Sequence, residues 1–201
     1  MTVTRDHAAA LLGYARARIG EELRRQLGEP YEGPVVVQPG GAWAEAPAAT
    51  FVTLRWPEGR LQGCIGSLEA RRSLVDDVGE NAVSAAFYDP RARPMSLRDL
   101  ARLHIEISVL SPLEPIPPGD RASIYAAITP GVHGVVLHFR GRRATLLPAV
   151  WESIPDRNDF MDALFEKAGL TPGMWNDELR FSRYSAEVLS EHPSHSEHAT
   201  S

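Results

Sequence analysis

The sequence predicts an α+β fold in which a largely antiparallel sheet packs against helices. Three features carry that expectation. Helix and strand patterns are mixed along the chain without a regular βαβ alternation. Two pairs of strand-like runs are joined by turn signals, PEGR at 57–60 and Gly141. The segment LHIEISVL (103–110) alternates, with Leu103, Ile105, Ile107 and Val109 on one face and His104, Glu106 and Ser108 on the other.

Taken in order, Asp6 is read as the cap of a helix whose apolar positions Leu11, Leu12, Ala15, Ile19, Leu23 and Leu27 follow the helical period. Gly28 stops it, and Pro30 and Pro34 lie just beyond. Residues 38–49 read as a loop. TFVTLRW (50–56), the turn PEGR and a strand through Cys64 make a hairpin. Ser73 with Asp76 forms a capping pair for a helix through Phe87, and Ser96 with Asp99 opens a shorter one. After the strand at 103–110 comes a proline-rich bend, SPLEPIPP, then a short helix around RASIYAAI. GVVLHFR and RRATLLP form the second hairpin. PAVWESI gives a helical turn, DFMDALFEKAGL a helix ended by Gly169, and LRFSRYSAEVL a closing strand. HPSHSEHATS (192–201) reads as a disordered polar tail.

Composition removes several classes of function. A formal net charge of −5 argues against coating nucleic acid or an anionic membrane. Residues 60–143 hold eleven arginines against nine acidic residues, too small a surplus to change that. The single cysteine rules out an internal disulfide, a four-thiolate zinc site and an iron–sulfur cluster held by this chain alone. With no signal-like start and no long apolar run, the expected location is the cytoplasm. Lys167 is the only lysine, so a Gly-Lys-Ser/Thr phosphate loop is absent. There is no G-x-S-x-G, H-E-x-x-H or G-x-G-x-x-G, no metal site is expected, and no cofactor is indicated.

Four constellations remain. In LQGCIG, Cys64 stands between Gly63 and Gly66, next to Ile65. The glycines can adopt positive φ and expose backbone donors, which would favour a reactive or ligand-contacting thiol. The alternative is a small buried residue beside a tight turn. Glu106, with His104 and Ser108, sits either on a wet sheet face or on one that holds acid/base and substrate-orienting groups. In FYDPRARP, Asp89 can cap its own turn while Arg91 and Arg93 project from it. In GRRATLLPAVWE, Arg142 and Arg143 can fork a carboxylate or phosphate, or form a solvated edge. Trp151 can stack on a planar ligand or anchor a core.

In this order, LQGCIGSLEA, ENAVSAAFYDPR, IEISVLSPLEPI, GVHGVVL, GRRATLLPAVWE, KAGL and RYSAEV resemble the AMMECR family, whose bacterial and archaeal members are labelled AmmeMemoRadiSam system protein A. The similarity runs from about residue 7 to 190. It implies one domain over 1–191, made of two sub-lobes with a cleft, the larger lobe using both chain ends. It also implies association with a Memo-like protein and a radical S-adenosylmethionine protein. The matching positions include Gly63, Cys64, Ile65, Gly66, Asn81, Asp89, Arg91, Glu106, Ser108, Arg143 and Trp151. Gln62 departs from the family's usual arginine, Ala92 from an aromatic, and Leu147 with Ala149 from FLPQ.

Two readings follow. One is an enzyme or enzyme subunit with Cys64 and Glu106 catalytic, and Gly63, Ile65, Gly66, Asn81, Asp89, Arg91, His104, Ser108, Arg143 and Trp151 contacting substrate. The other is a non-catalytic module that binds a small ligand or a protein.

Overall fold

Thr4, not Asp6, opens the first helix. Its side-chain oxygen accepts the His7 amide at 3.3 Å, and Asp6 lies within the first turn, where a negative charge suits the helix dipole. We describe a computed structural model over residues 3–28 and 37–191. Pro30, Pro34 and the tail at 192–201 lie outside these residues.

Helix α1 (Arg5–Leu27) buries Leu11, Leu12, Ala15, Ile19 and Leu23, while Leu27 is exposed. Gly28 ends it in the left-handed conformation, φ 68°. The span read as a loop holds a helical turn, α2 (Ala42–Glu45), and a two-residue strand, β1 (Pro47–Ala48). Elements this short carry no periodic signal. The predicted hairpin follows as β2 (Thr50–Arg55) and β3 (Leu61–Gly66). Strand β4 (Arg72–Ser73) pairs with β1 and leads into α3 (Leu74–Phe87). The Ser73 hydroxyl accepts the Asp76 amide at 3.2 Å, as its spacing predicts. Ser96 and Asp99 form a reciprocal capping box on α4 (Leu97–Leu100), and β5 (His104–Leu110) completes this stretch.

The bend at SPLEPIPP contains a strand, β6 (Glu114–Ile116). Helix α5 (Arg121–Ala126), the hairpin β7 (Gly134–Phe139) and β8 (Arg142–Leu146), a 3₁₀ turn (Pro148–Glu152) and α6 (Arg157–Lys167) follow. The closing strand proves to be two, β9 (Arg180–Tyr184) and β10 (Ala186–Ser190), separated at Ser185. They join different sheets, ordered β6-β9-β7-β8 and β10-β5-β2-β3, and every pairing whose register is resolved is antiparallel.

The fold is therefore α+β, and it divides into two units. The first comprises Met1–Leu110 and Glu187–Ser201, the second Ser111–Ala186. In the first, α1 and α3 pack on the aliphatic face of the β10-β5-β2-β3 sheet, where Val52, Leu54, Ile105 and Ile107 are fully buried. In the second, α6 packs on the β7-β8 hairpin around Val135, Leu137, Phe160, Leu164 and Phe165. Among the described residues, no helix is long and apolar enough to cross a membrane.

Candidate functional site

The register of the first sheet determines which polar side chains share a surface. Cys64 pairs with Thr53, and Thr53 pairs on its other side with Glu106. Directly opposed residues project to the same face, so a thiol, a hydroxyl and a carboxylate form one row across β3, β2 and β5. The Thr53 hydroxyl donates to the Cys64 sulfur at 3.3 Å. With strands about 4.8 Å apart, the thiol and carboxylate positions are separated by about 10 Å at the backbone. Thr53 is buried, whereas Cys64 and Glu106 are both partly exposed. The flanking rows on this face pair Phe51 with Gly66 and Ser108, and Arg55 with His104.

The two glycines around Cys64 serve a different purpose from the one their sequence suggests. Neither adopts positive φ, and both lie in a regular strand, so the proposed concavity of backbone donors does not form. Each is required by close approach instead. A Cβ at Gly63 would stand 2.0 Å from the Ala85 carbonyl oxygen in the last turns of α3. A Cβ at Gly66 would stand 2.2 Å from Cγ of Phe51, whose ring lies across it. Ile65 points to the other face and packs against the core.

The Cys64 backbone N–H is already committed to a carboxylate. Asp89 Oδ2 accepts it at 2.8 Å, and Asp89 Oδ1 accepts the Arg91 amide at 2.8 Å. The Arg91 guanidinium forks onto both carboxylate oxygens, at 2.9 and 2.8 Å. That fork, helped by the two amides and opposed by burial, holds the Asp89 carboxyl well below the usual carboxylate range. Arg91 does not simply project from its turn. It neutralises an acid that is only 4% exposed.

Gln62 is fully buried. It accepts from the Trp56 indole at 3.0 Å and donates to the Arg93 carbonyl at 2.7 Å. A neutral amide with a donor and an acceptor meets both demands, which a guanidinium cannot.

Asn81 belongs to a buried network whose centre is Asp77, a residue that sequence reasoning missed. Asp77 Oδ2 accepts from the Thr50 amide at 2.8 Å, the Thr50 hydroxyl at 2.7 Å and the Asn81 amide at 2.9 Å. Its Oδ1 accepts from Ser67 at 2.7 Å and from Arg72 Nη2 at 2.8 Å. The network fastens α3 to the strand that carries Thr53 and to the turn that follows Gly66. The available signal was a carboxylate and an amide four residues apart on the helix face that carries Leu74 and Val78. Thr53 was legible only as a polar alternate in TFVTLRW.

Arg143 and Trp151 lie in the second unit. Arg143 is exposed on β8, opposite His138. Trp151 is a core residue. Its indole N–H donates to the His133 carbonyl at 2.8 Å, and its ring stacks on Phe160 with centroids 3.7 Å apart.

The AMMECR1 family model matches residues 12–189. The chain belongs to the AMMECR1 family. A relative from Methanothermobacter thermautotrophicus is 34% identical over 197 residues, covering 94% of this chain and 96% of its own length. Protein MJ0810 of Methanocaldococcus jannaschii is 33% identical over 70% of this chain and 72% of its own. Among solved structures, uncharacterized protein PH0010 from Pyrococcus horikoshii superposes with a TM-score of 0.75 at 30% identity, covering 89% of this chain and 88% of that one. The AMMECR1 match spans both units, so the Cys64 row and the β7-β8 hairpin belong to one family domain.

Proposed function

We propose that this AMMECR1-family chain works in the cytoplasm, in a modification pathway shared with a Memo-like protein and a radical S-adenosylmethionine protein. Its contribution is the Cys64–Thr53–Glu106 row. What supports the pathway is the family resemblance. The site follows from one observation, the strand register that sets a partly exposed thiol and a partly exposed carboxylate on either side of a hydroxyl. In this reading Cys64 contacts or attacks the substrate, while Glu106 orients it or moves a proton. Any radical chemistry belongs to the partner, because one cysteine cannot hold the cluster.

The test is co-purification of the tagged chain with the Memo-like and radical S-adenosylmethionine proteins of the same genome, combined with genetic complementation by Cys64→Ser and Glu106→Gln. The expected result is co-elution for all three forms and failure of both variants to complement. Absence of co-elution removes the pathway. Full complementation by both variants removes the chemistry.

A second reading, a non-catalytic binding module, is favoured by the Asp89–Arg91 pair. The Arg91 guanidinium forks onto Asp89, and Asp89 in turn holds the Cys64 amide, so this pair has a structural use that needs no chemistry at the sulfur. Co-elution with full complementation is the outcome this reading expects.

A further inference from the structure

The strand that carries the thiol is also an edge. In the order β10-β5-β2-β3, one side of β3 meets no further strand among the described residues. The phase of its ladder is set by Ser67, whose amide donates to the Thr50 carbonyl at 2.8 Å. Backbone groups alternate in direction along a strand, so Ile65 and Gly63 turn toward β2, while Cys64 and Gly66 turn away from it. The outward amide of Cys64 is taken by Asp89. The Cys64 carbonyl, and both the amide and the carbonyl of Gly66, have no hydrogen-bond partner among the described residues. Cys64, Ile65 and Gly66 are all partly exposed.

The other four-stranded sheet covers its edge. On β8, at the end of the order β6-β9-β7-β8, the chain's only lysine donates to a strand carbonyl, Lys167 Nζ to Thr145 at 2.9 Å. A charged side chain set against an edge discourages another strand from pairing there. Among the described residues, no charged side chain bonds to the outer backbone of β3 beyond Asp89. Gly66 adds no bulk either, and the Phe51 ring across it leaves no room for a Cβ.

We infer that the substrate of the Cys64 row is an extended polypeptide segment, which adds to β3 as a fifth, antiparallel strand. The inference rests on the reading of that row as the site, and it names the class of molecule the row acts on. The open groups select the class. Two carbonyls and an amide, on alternate residues about 7 Å apart, match the main chain of another strand. The segment residue opposite Cys64 donates its N–H to the Cys64 carbonyl. The residue two places before it both donates to Gly66 and accepts from it. Opposed Cα atoms in such pairs stand about 5.5 Å apart, with their side chains on one face. The first side chain therefore lies beside the thiol and extends the row of Glu106, Thr53 and Cys64 by one. The second lies against the Phe51 ring, where an apolar residue fits. Asp89 closes the ladder at the Cys64 amide, so the residue at the thiol is the last one paired.

The test is disulfide tethering to the intact chain, read by mass spectrometry as the mercaptoethanol concentration that halves the adduct. The probe is the acetylated pentapeptide amide Val-Thr-Cys-Thr-Val, and N-acetylcysteine amide is the control that offers a thiol without a strand. In the exchange the Cys64 thiolate takes the probe sulfur and mercaptoethanol leaves as the thiol. The pentapeptide should withstand about tenfold more mercaptoethanol than the control. N-methylating its first valine and its cysteine together removes the amides that donate to Gly66 and Cys64, and should return it to the control level. N-methylating the threonine between them, whose amide faces away from β3, should change it by less than about twofold. Equal tethering of pentapeptide and control, or the same loss from methylating that threonine, overturns the inference while leaving the row with a reactive thiol. No adduct with either probe removes the row as a site, and this inference with it.

Discussion

Asp89 accepts the backbone N–H of Cys64 at 2.8 Å, and this bond ties the thiol-bearing strand to the turn at the end of α3. Four expectations can be tested on this framework and its neighbours.

The Asp89 carboxyl titrates well below its value in an unfolded chain, about 3.9. A depressed folded value means that the contribution to stability is complete above the unfolded value and fades as pH falls toward the folded one. Asp89→Asn should cost about 2 kcal/mol at neutral pH and flatten the loss of stability below pH ~4. Arg91→Gln, which removes the first cause of the shift, should move acid unfolding to higher pH. Urea melts across pH measure both effects.

Gly63→Ala places a methyl group against a backbone carbonyl that cannot rotate away. We expect a loss of about 3 kcal/mol or more in chemical denaturation. Gly13→Ala is the counter-case. A Cβ added at this exposed position of α1 would meet nothing within 4 Å, so the same substitution should add about 0.5–1 kcal/mol.

Asp77→Ala strands the buried Thr50 amide and removes one partner each from Asn81 and Arg72, which keep Thr50 and Glu80 respectively. A cost of about 2–3 kcal/mol is expected. Hydrogen exchange should show the Thr50 amide losing protection before those of the second unit.

Gln62→Ala leaves the Trp56 indole and the Arg93 carbonyl without their buried partner. The expected cost is about 2 kcal/mol, accompanied by a change in tryptophan emission. Gln62→Glu sets a buried carboxylate against the Arg93 carbonyl, and should cost more than Gln62→Ala at neutral pH.

The sequence and the structure agree most closely where a local rule acts alone. Ser73 with Asp76 and Ser96 with Asp99 are legible because capping depends on residues three apart. The strands β1, β4 and β6 were not legible, since two or three residues carry no period and exist only through their partners. The alternation of RFSRYSAEVL runs unbroken through Ser185, so nothing local reveals that its halves belong to different sheets. Cys64 and Glu106 were found separately, by residue type and by alternation. Their common face was not, because it depends on a register that shifts between Leu54 and Arg55. A slip of one residue would have sent the thiol to the aliphatic side.

The parting of β9 from β10 also has a consequence for biosynthesis. The segment Ser111–Ala186 is continuous, so all of its sheet partners have left the ribosome by the time Tyr184 is clear. The sheet bearing Cys64 must wait for β10, made after that whole insertion. The inserted unit can thus mature during translation, while the earlier-made portion remains a three-stranded sheet with β5 unpaired along one edge until the last strand arrives.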